Sequence, residues 1–251
     1  MQRKLPAMCA DLWTLARQLL AGVDGCADPA VRGTPGCACR SLDVSPGALA
    51  GRHSGPVCRP TLLRQRLLAD PWIYAADVER ELPASIHIRV RERVPIAVLK
   101  LDRLFYLDET GEVFKSVQPS DQVRVPVVAG LTVSDIGLDG QGHSPVFNAM
   151  MEVLHLSRLH GSVLPLDAIH HIQADPETGL TLVGFKKGLA IKLGFGDYES
   201  KFNRLRDMMS YFRRGDELLN IACIDLNDLE RVVVRPTGGV SLLGVAYRKE
   251  I

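Results

Sequence analysis

The run from Asp70 to Val94 constrains the fold more than any other part of the chain. Pro71 ends the helical pattern before it, because proline drives the preceding residue toward extended geometry. Trp72, Tyr74, Ala76 and Val78 then alternate with Ile73, Ala75, Asp77 and Glu79. Beyond Leu82-Pro83, Ile86, Ile88 and Val90 alternate with His87, Arg89 and Arg91. A period of two marks a strand with one buried and one wet face. Two such strands around a Leu-Pro turn, backed by an amphipathic helix over 61–69, make a small α/β module.

The pattern stays regular beyond it. Ile96–Leu101 and Leu104–Leu107 read as strands, and Asp108-Glu109-Thr110-Gly111 closes a hairpin. Residues 132–143 read as a loop. Ser144-Pro145 opens a helix with serine at the cap and proline in the first turn. Val146, Met150, Val153, Leu154 and Leu156 follow helical spacing, and Gly161 ends it. Ala168–Ala174 and Leu180–Phe185 form a second hairpin around residues 175–179, and Gly188–Phe195 is another strand. Asp197 caps a second helix to about Arg214, with Phe202, Leu205, Met208, Met209 and Phe212 on one side. Leu219–Leu226 and Arg231–Arg235 close the domain as strands. The tail, 237–251, reads as loose, with Val240–Tyr247 open to one more strand or helix. The fold class is α+β: a small α/β module, then a mixed, β-rich domain with two amphipathic helices.

The first 60 residues differ in character. They hold Cys9, Cys26, Cys37, Cys39 and Cys58, and only Cys223 lies in the patterned remainder. A disulfide framework spreads over the fold that it staples, and this set does not. Cys37-x-Cys39 lacks zinc-ligand spacing. Residues 23–60 read as an irregular lead-in, with Cys39–Ser45 as a remnant strand and Ala48–Gly51 as the hint of a helix. The most apolar stretch, Ala7–Gly22, is short and contains Asp11 and Arg17, so no membrane span is legible. No clean apolar core follows Met1-Gln2-Arg3-Lys4, so no secretory signal is legible either. The segment reads as strongly diverged or as the product of a disturbed reading frame.

Chemistry is sparse. The 30 basic and 29 acidic side chains nearly cancel, which argues against a general nucleic-acid binder. His170 and His171 are adjacent on a strand and point to opposite faces, so they cannot share a metal ion. His155 and His160 are five apart and miss the i, i+4 spacing of a helical metal pair. Asp108 and Glu109 read as turn formers rather than an acid–base pair. Gly194-Phe195-Gly196 reads as a strand-to-helix turn, since it lacks the third glycine and the lysine of a phosphate loop. Met208, Met209 and Phe212 read as core. No enzyme, cofactor, metal or small-molecule substrate is expected.

The ordered set of short motifs resembles the bacterial cell-division family FtsQ, also called DivIB. It comprises Asp70-Pro71-Trp72, Glu81-Leu82-Pro83, Arg91-Glu92-Arg93-Val94-Pro95, Leu107-Asp108 through Gly111-Glu112-Val113-Phe114, Val125 through Leu131, Ile224-Asp225-Leu226 and Arg231 through Pro236. The resemblance implies a POTRA domain, here 61–95 and starting as early as 39, then an FtsQ-type β domain over 96–236 and a tail over 237–251. It also implies a single-span inner-membrane protein whose bulk faces the periplasm. Such a protein is a non-catalytic scaffold of the septum that binds FtsB and FtsL.

Arg231, Val232, Val233, Val234 and Arg235 would then form an edge strand that receives a partner strand, with Leu226, Asn227 and Asp228 beside it. Open backbone groups template an added strand, valines favour extension, and flanking arginines discourage self-pairing. In the resemblance a basic residue and an aromatic stand where this chain has Asn227-Asp228, and another basic residue stands at Phe195. Arg89, Arg91 and Arg93, with Trp72 and Tyr74, read either as a solvated face or as a second docking surface for an acidic partner or lipid headgroups. The rival readings are a POTRA-bearing adaptor of outer-membrane transport and, from another class, a small hydrolase.

Overall fold

The computed structural model describes residues 30–33, 39–45, 60–81, 85–121, 123–137, 142–184, 188–212, 221–228 and 231–237. Leu82-Pro83, Ala48–Gly51, the stretch 7–22, the side chains of the five early cysteines and of Phe212, and the tail beyond 237 lie outside the described residues. The class is α+β, in two compact units: Met1–Val94 with Pro119–Val123, and Pro95–Gln118 with Arg124–Ile251.

The first unit is a four-stranded antiparallel sheet with one described helix. Strands β1 (Ala30–Gly33), β2 (Cys39–Ser45), β3 (Ile73–Glu81) and β4 (Ser85–Glu92) lie in the order β1-β2-β4-β3. The lead-in is therefore less irregular than its composition implies. Cys39–Ser45 is a strand over the span expected of it and pairs along β4, while β1 was not legible.

Helix α1 (Pro60–Leu68) lies on β3 and buries Leu63 and Leu67 against a core with Ile73, Ala76, Ile88 and Val90. It ends two residues before Asp70, whose carboxylate accepts the Trp72 N–H at 2.9 Å, an Asx turn that redirects the chain into β3. The expected face of Trp72, Tyr74, Ala76 and Val78 forms only from Ala76 onward, with Asp77 and Glu79 exposed opposite it. The register slips between Ile73 and Ala75, so Ile73 and Ala76 both point inward and Tyr74 points to solvent.

The second unit is a nine-stranded mixed sheet with two helices. Its strands are β5 (Pro95–Lys100), β6 (Leu104–Asp108), β7 (Val113–Ser116), β8 (Val127–Ala129), β9 (Ile169–Asp175), β10 (Gly179–Gly184), β11 (Leu189–Gly194), β12 (Ile221–Asp225) and β13 (Val233–Pro236). The order across the sheet is β13-β12-β11-β10-β9-β8-β5-β6-β7. β8 runs parallel to β9, and β11 runs parallel to β12. These two pairs are each joined through a helix, α2 (Pro145–Arg158) and α3 (Tyr198–Phe212) respectively, whereas β5 and β8, also parallel, are joined through β6 and β7. Both crossovers step the same way across the sheet, so right-handed connections place both helices on one face. One core joins them, with Phe147, Met150, Val153 and Leu154 of α2 and Tyr198, Phe202 and Leu205 of α3 packed on Leu99, Ile172, Leu182, Ile191 and Ile224.

The α2 cap and the turns at Asp175 and Asp108 follow the sequence. Ser144 accepts the Phe147 N–H at 3.3 Å, and Pro145 takes the first helical position. Asp175 Oδ1 accepts the N–H groups of Glu177 and Thr178, both at 2.8 Å. Asp108 is buried, and its Oδ1 accepts from Thr110 N–H, Thr110 Oγ1 and Glu112 N–H at 2.9, 2.6 and 3.0 Å, the work of a turn former. Within the stretch expected to be a loop, Ser134–Ile136 form a one-turn 3₁₀ helix that buries Ile136, and residues 138–141 lie outside the described residues.

Candidate partner-binding edge

Strand β13 closes one end of the nine-stranded sheet, and among the described residues it pairs with β12 alone. It runs Val233–Pro236, later than the expected Arg231–Arg235. The Arg231 carbonyl accepts from Arg204 Nη2 at 3.0 Å, a bond to α3 that leaves Arg231 and Val232 in the connection. Val232 and Val234 pack on the helix-covered core, while Val233 (41 % exposed) and Arg235 face the open side. Pro236 has no N–H to give, and proline in a sheet is confined to such edge positions.

The neighbouring strand ends are held from α3. Leu226 is buried and its N–H donates to the Lys192 carbonyl at 2.8 Å, extending the parallel pairing by one residue. Asn227 N–H then donates to Asp225 Oδ1 at 3.0 Å and turns the chain, leaving Asn227 and Asp228 exposed. Gly194, Gly196 and Asp197 all have positive φ, of 63°, 71° and 48°, in the turn from β11 into α3. That turn lifts Phe195 into solvent, 40 % exposed.

Lys201 is fully buried, and its Nζ donates to the carbonyls of Leu193 and Phe195, both at 2.7 Å. The Tyr198 hydroxyl donates to the Gly194 carbonyl at 3.1 Å. Burial pushes the Lys201 ammonium below its ordinary pKa and the Tyr198 phenol above its own. A lysine does stand next to the Gly-Phe-Gly turn, but two of its three donors go to main-chain oxygens. Lys201 and Arg204 were missed in the sequence. The available signal was two cations three apart on a helix that follows a glycine turn.

In the first unit, Tyr74, Arg91 and Arg93 come together. The Arg91 and Arg93 guanidinium carbons lie 4.4 and 5.3 Å from the centre of the exposed Tyr74 ring. Arg89 stands opposite Asp77 in the register, so the face is mixed in charge rather than uniformly basic. Trp72 is half-buried and precedes β3, and its carbonyl accepts the Arg93 N–H at 2.8 Å.

The histidines stay apart from one another's chemistry. His170 is exposed and His171 half-buried on β9. His155 Nε2 lies 3.0 Å from the Glu109 carbonyl, and Arg158 pairs with the Glu109 carboxylate at 2.8 Å, tying α2 to the β6–β7 turn. No group of three potential ligands is placed to hold a metal among the described residues.

This architecture, a small α/β module followed by a β-rich sheet with helices on one face, has counterparts among known families. Residues 58–93 match the family model of the POTRA domain, FtsQ-type. Residues 97–227, more than half of the chain, match that of the cell division protein FtsQ/DivIB C-terminal region. The chain belongs to the FtsQ/DivIB family of bacterial cell-division proteins. It is 32% identical to the cell division protein FtsQ of Geotalea daltonii over 66% of this chain and 59% of the relative. It is also 32% identical to that of Syntrophotalea carbinolica, over 69% and 61%. The FtsQ of Geobacter sp. strain M21 is 29% identical over 68% and 61%. The matched region thus spans about three-fifths of these relatives' length.

Proposed function

We propose that this protein is a non-catalytic scaffold of the division septum that captures an FtsB- or FtsL-type partner by adding the partner's strand to β13. The observation that carries this reading is the position of β13 at the end of the sheet, paired on one flank among the described residues. Its free N–H and C=O groups supply backbone bonds, and the alternation of Val233 and Arg235 with Val234 and Pro236 supplies side-chain selection. Phe195, Asn227 and Asp228 border the same end of the sheet, so apolar and amide or acidic groups stand beside the capture strand, and the exposed Arg235 of β13 itself supplies the basic contact. The Tyr74–Arg91–Arg93 cluster serves as a second docking surface, for an acidic partner. In this reading the bulk of the protein works in the periplasm, held at the inner membrane. No helix among the described residues is long and apolar enough to cross a membrane, so the attachment is drawn from family membership.

The test is Val233→Pro, which removes one backbone donor from an edge strand while sparing the core-facing Val232 and Val234. Pull-down of the FtsB-type protein from the same organism should drop to background while circular dichroism and the unfolding midpoint stay near wild type. Undiminished capture by a folded variant would refute strand addition at β13.

A further inference from the structure

Helix α3 carries two cations, Lys201 and Arg204, whose donors go to carbonyls at one end of the sheet. β11 and β12 are parallel, so both finish at that end. Lys201 holds the carbonyls of Leu193 and Phe195 as β11 leaves the sheet. Arg204 Nη2 donates to the carbonyls of Asp228, at 2.9 Å, and Arg231, at 3.0 Å, which bracket the connection from β12 to β13. One nitrogen with two N–H groups thus fixes two points three residues apart on a segment outside the ladder.

We propose that Arg204 is the positioning residue of the capture strand: its two bonds hold the β12–β13 connection so that β13 is already extended and in register before a partner arrives. This rests on the strand-addition reading given above.

The physical case is that, among the described residues, β13 is otherwise held only by its pairing with β12 and by the half-buried Val232 and Val234 at the margin of the core. It is four residues long, has one ladder, and its register with β12 slips between Ile221 and Cys223. Such an edge lies at the low end of local stability. If it frays, an incoming strand must order it at the moment of binding, and affinity falls by that cost. Charge-assisted bonds to main-chain carbonyls oppose the fraying, and losing both should weaken capture roughly tenfold. Arg204 itself need not touch the partner.

The experiment compares the full chain with its Arg204→Met and Arg204→Lys variants. Hydrogen–deuterium exchange is followed in peptides over 221–237, with peptides over 169–184 as an internal reference, and binding of the FtsB-type protein is measured in parallel. Arg204→Met should speed exchange in 221–237 by about tenfold, leave 169–184 unchanged and weaken capture to a similar degree. Arg204→Lys, which keeps a cation with several donors, should restore most of both.

Wild-type exchange in 221–237 would overturn the proposal, as would equal acceleration in 169–184, which marks a general loss of stability. Faster exchange with undiminished capture would also overturn it, provided that Val233→Pro has abolished capture. If Val233→Pro leaves capture intact, the strand-addition reading fails on its own, and the exchange comparison still decides whether Arg204 positions β13.

Discussion

Gly179 and Gly194 meet where the β9–β10 turn touches the end of β11, and substituting each with alanine should give very different costs. Both have positive φ, 80° and 63°. That backbone region costs an alanine about 1–2 kcal/mol relative to glycine. The surroundings then separate the two. A Cβ on Gly194 would overlap the Asn227 side-chain amide and come within 2.7 Å of its Cγ. Asn227 is exposed, so it can rotate away, and the total for Gly194→Ala stays about 1–2 kcal/mol. A Cβ on Gly179 would run into the main chain of Gly194, its carbonyl group and, at 2.7 Å, its Cα. Main chain in a sheet cannot step aside without breaking the pairing of Leu180 with Gly194. Overpacking and the lost rung raise Gly179→Ala to roughly 3–5 kcal/mol. Urea unfolding with the slope held common measures both. A Gly179→Ala midpoint no lower than that of Gly194→Ala would refute the reasoning, because the two differ only in what stands opposite the added methyl.

Two further outcomes can be checked by direct measurement. Asp175 is held below the ordinary aspartate range by the N–H groups of Thr178 and Glu177, and Asp135 by hydrogen bonds from the Thr132 hydroxyl and N–H. A carboxyl with a depressed folded pKa contributes stability that is present above its unfolded pKa and lost as pH falls through the folded one. Carbon NMR titration should therefore find both carboxyls below reference aspartate, and ordinary values would contradict the turn geometry. Arg91→Glu reverses a charge over the exposed Tyr74 ring without touching the core, so stability should move by no more than about 0.5 kcal/mol. Recruitment of division partners to the septum, followed by fluorescence microscopy, should fall sharply, and normal recruitment would remove the second docking surface.

How much of this was legible depended on whether a signal was local. The α2 cap, the Asp175 hairpin and the β5–β7 meander are written in short-range chemistry, so Ser144, Asp175 and Asp108 could be placed from the sequence alone. The face of β3 was misread at its start because one slipped register between Ile73 and Ala75 puts Ile73, not Tyr74, on the side of Ala76, and nothing in the alternation marks it. The pairing of β2 escaped notice because its partner β4 lies about forty to fifty residues away, and β1, which pairs with β2, is only four residues long, too short to show an alternation. At the candidate edge the strand itself was visible in its valines, but its start was not. Arg204 lies 27 residues from Arg231, and the bond between them leaves Arg231 and Val232 in the connection.

The two ends of the nine-stranded sheet differ in what an added strand would gain. At β7, Val113, Phe114 and Lys115 are already half-buried, and Phe114 stacks on Tyr106 with ring centres 5.9 Å apart. A newcomer there would cover little further apolar surface. At β13, Val233 stands open, and Val232 and Val234 reach the core from its margin, so a partner strand would continue the buried layer beneath α3. Burial favours association in proportion to the apolar area removed from water, which selects β13 over β7. Yet a four-residue edge offers few backbone bonds, and these cannot tell one partner from another. Discrimination then falls to the side chains that point away from the core, Val233 and Arg235. A partner with an apolar residue facing the first and an acidic residue facing the second satisfies both, and reversing that order leaves an unpaired charge against a valine.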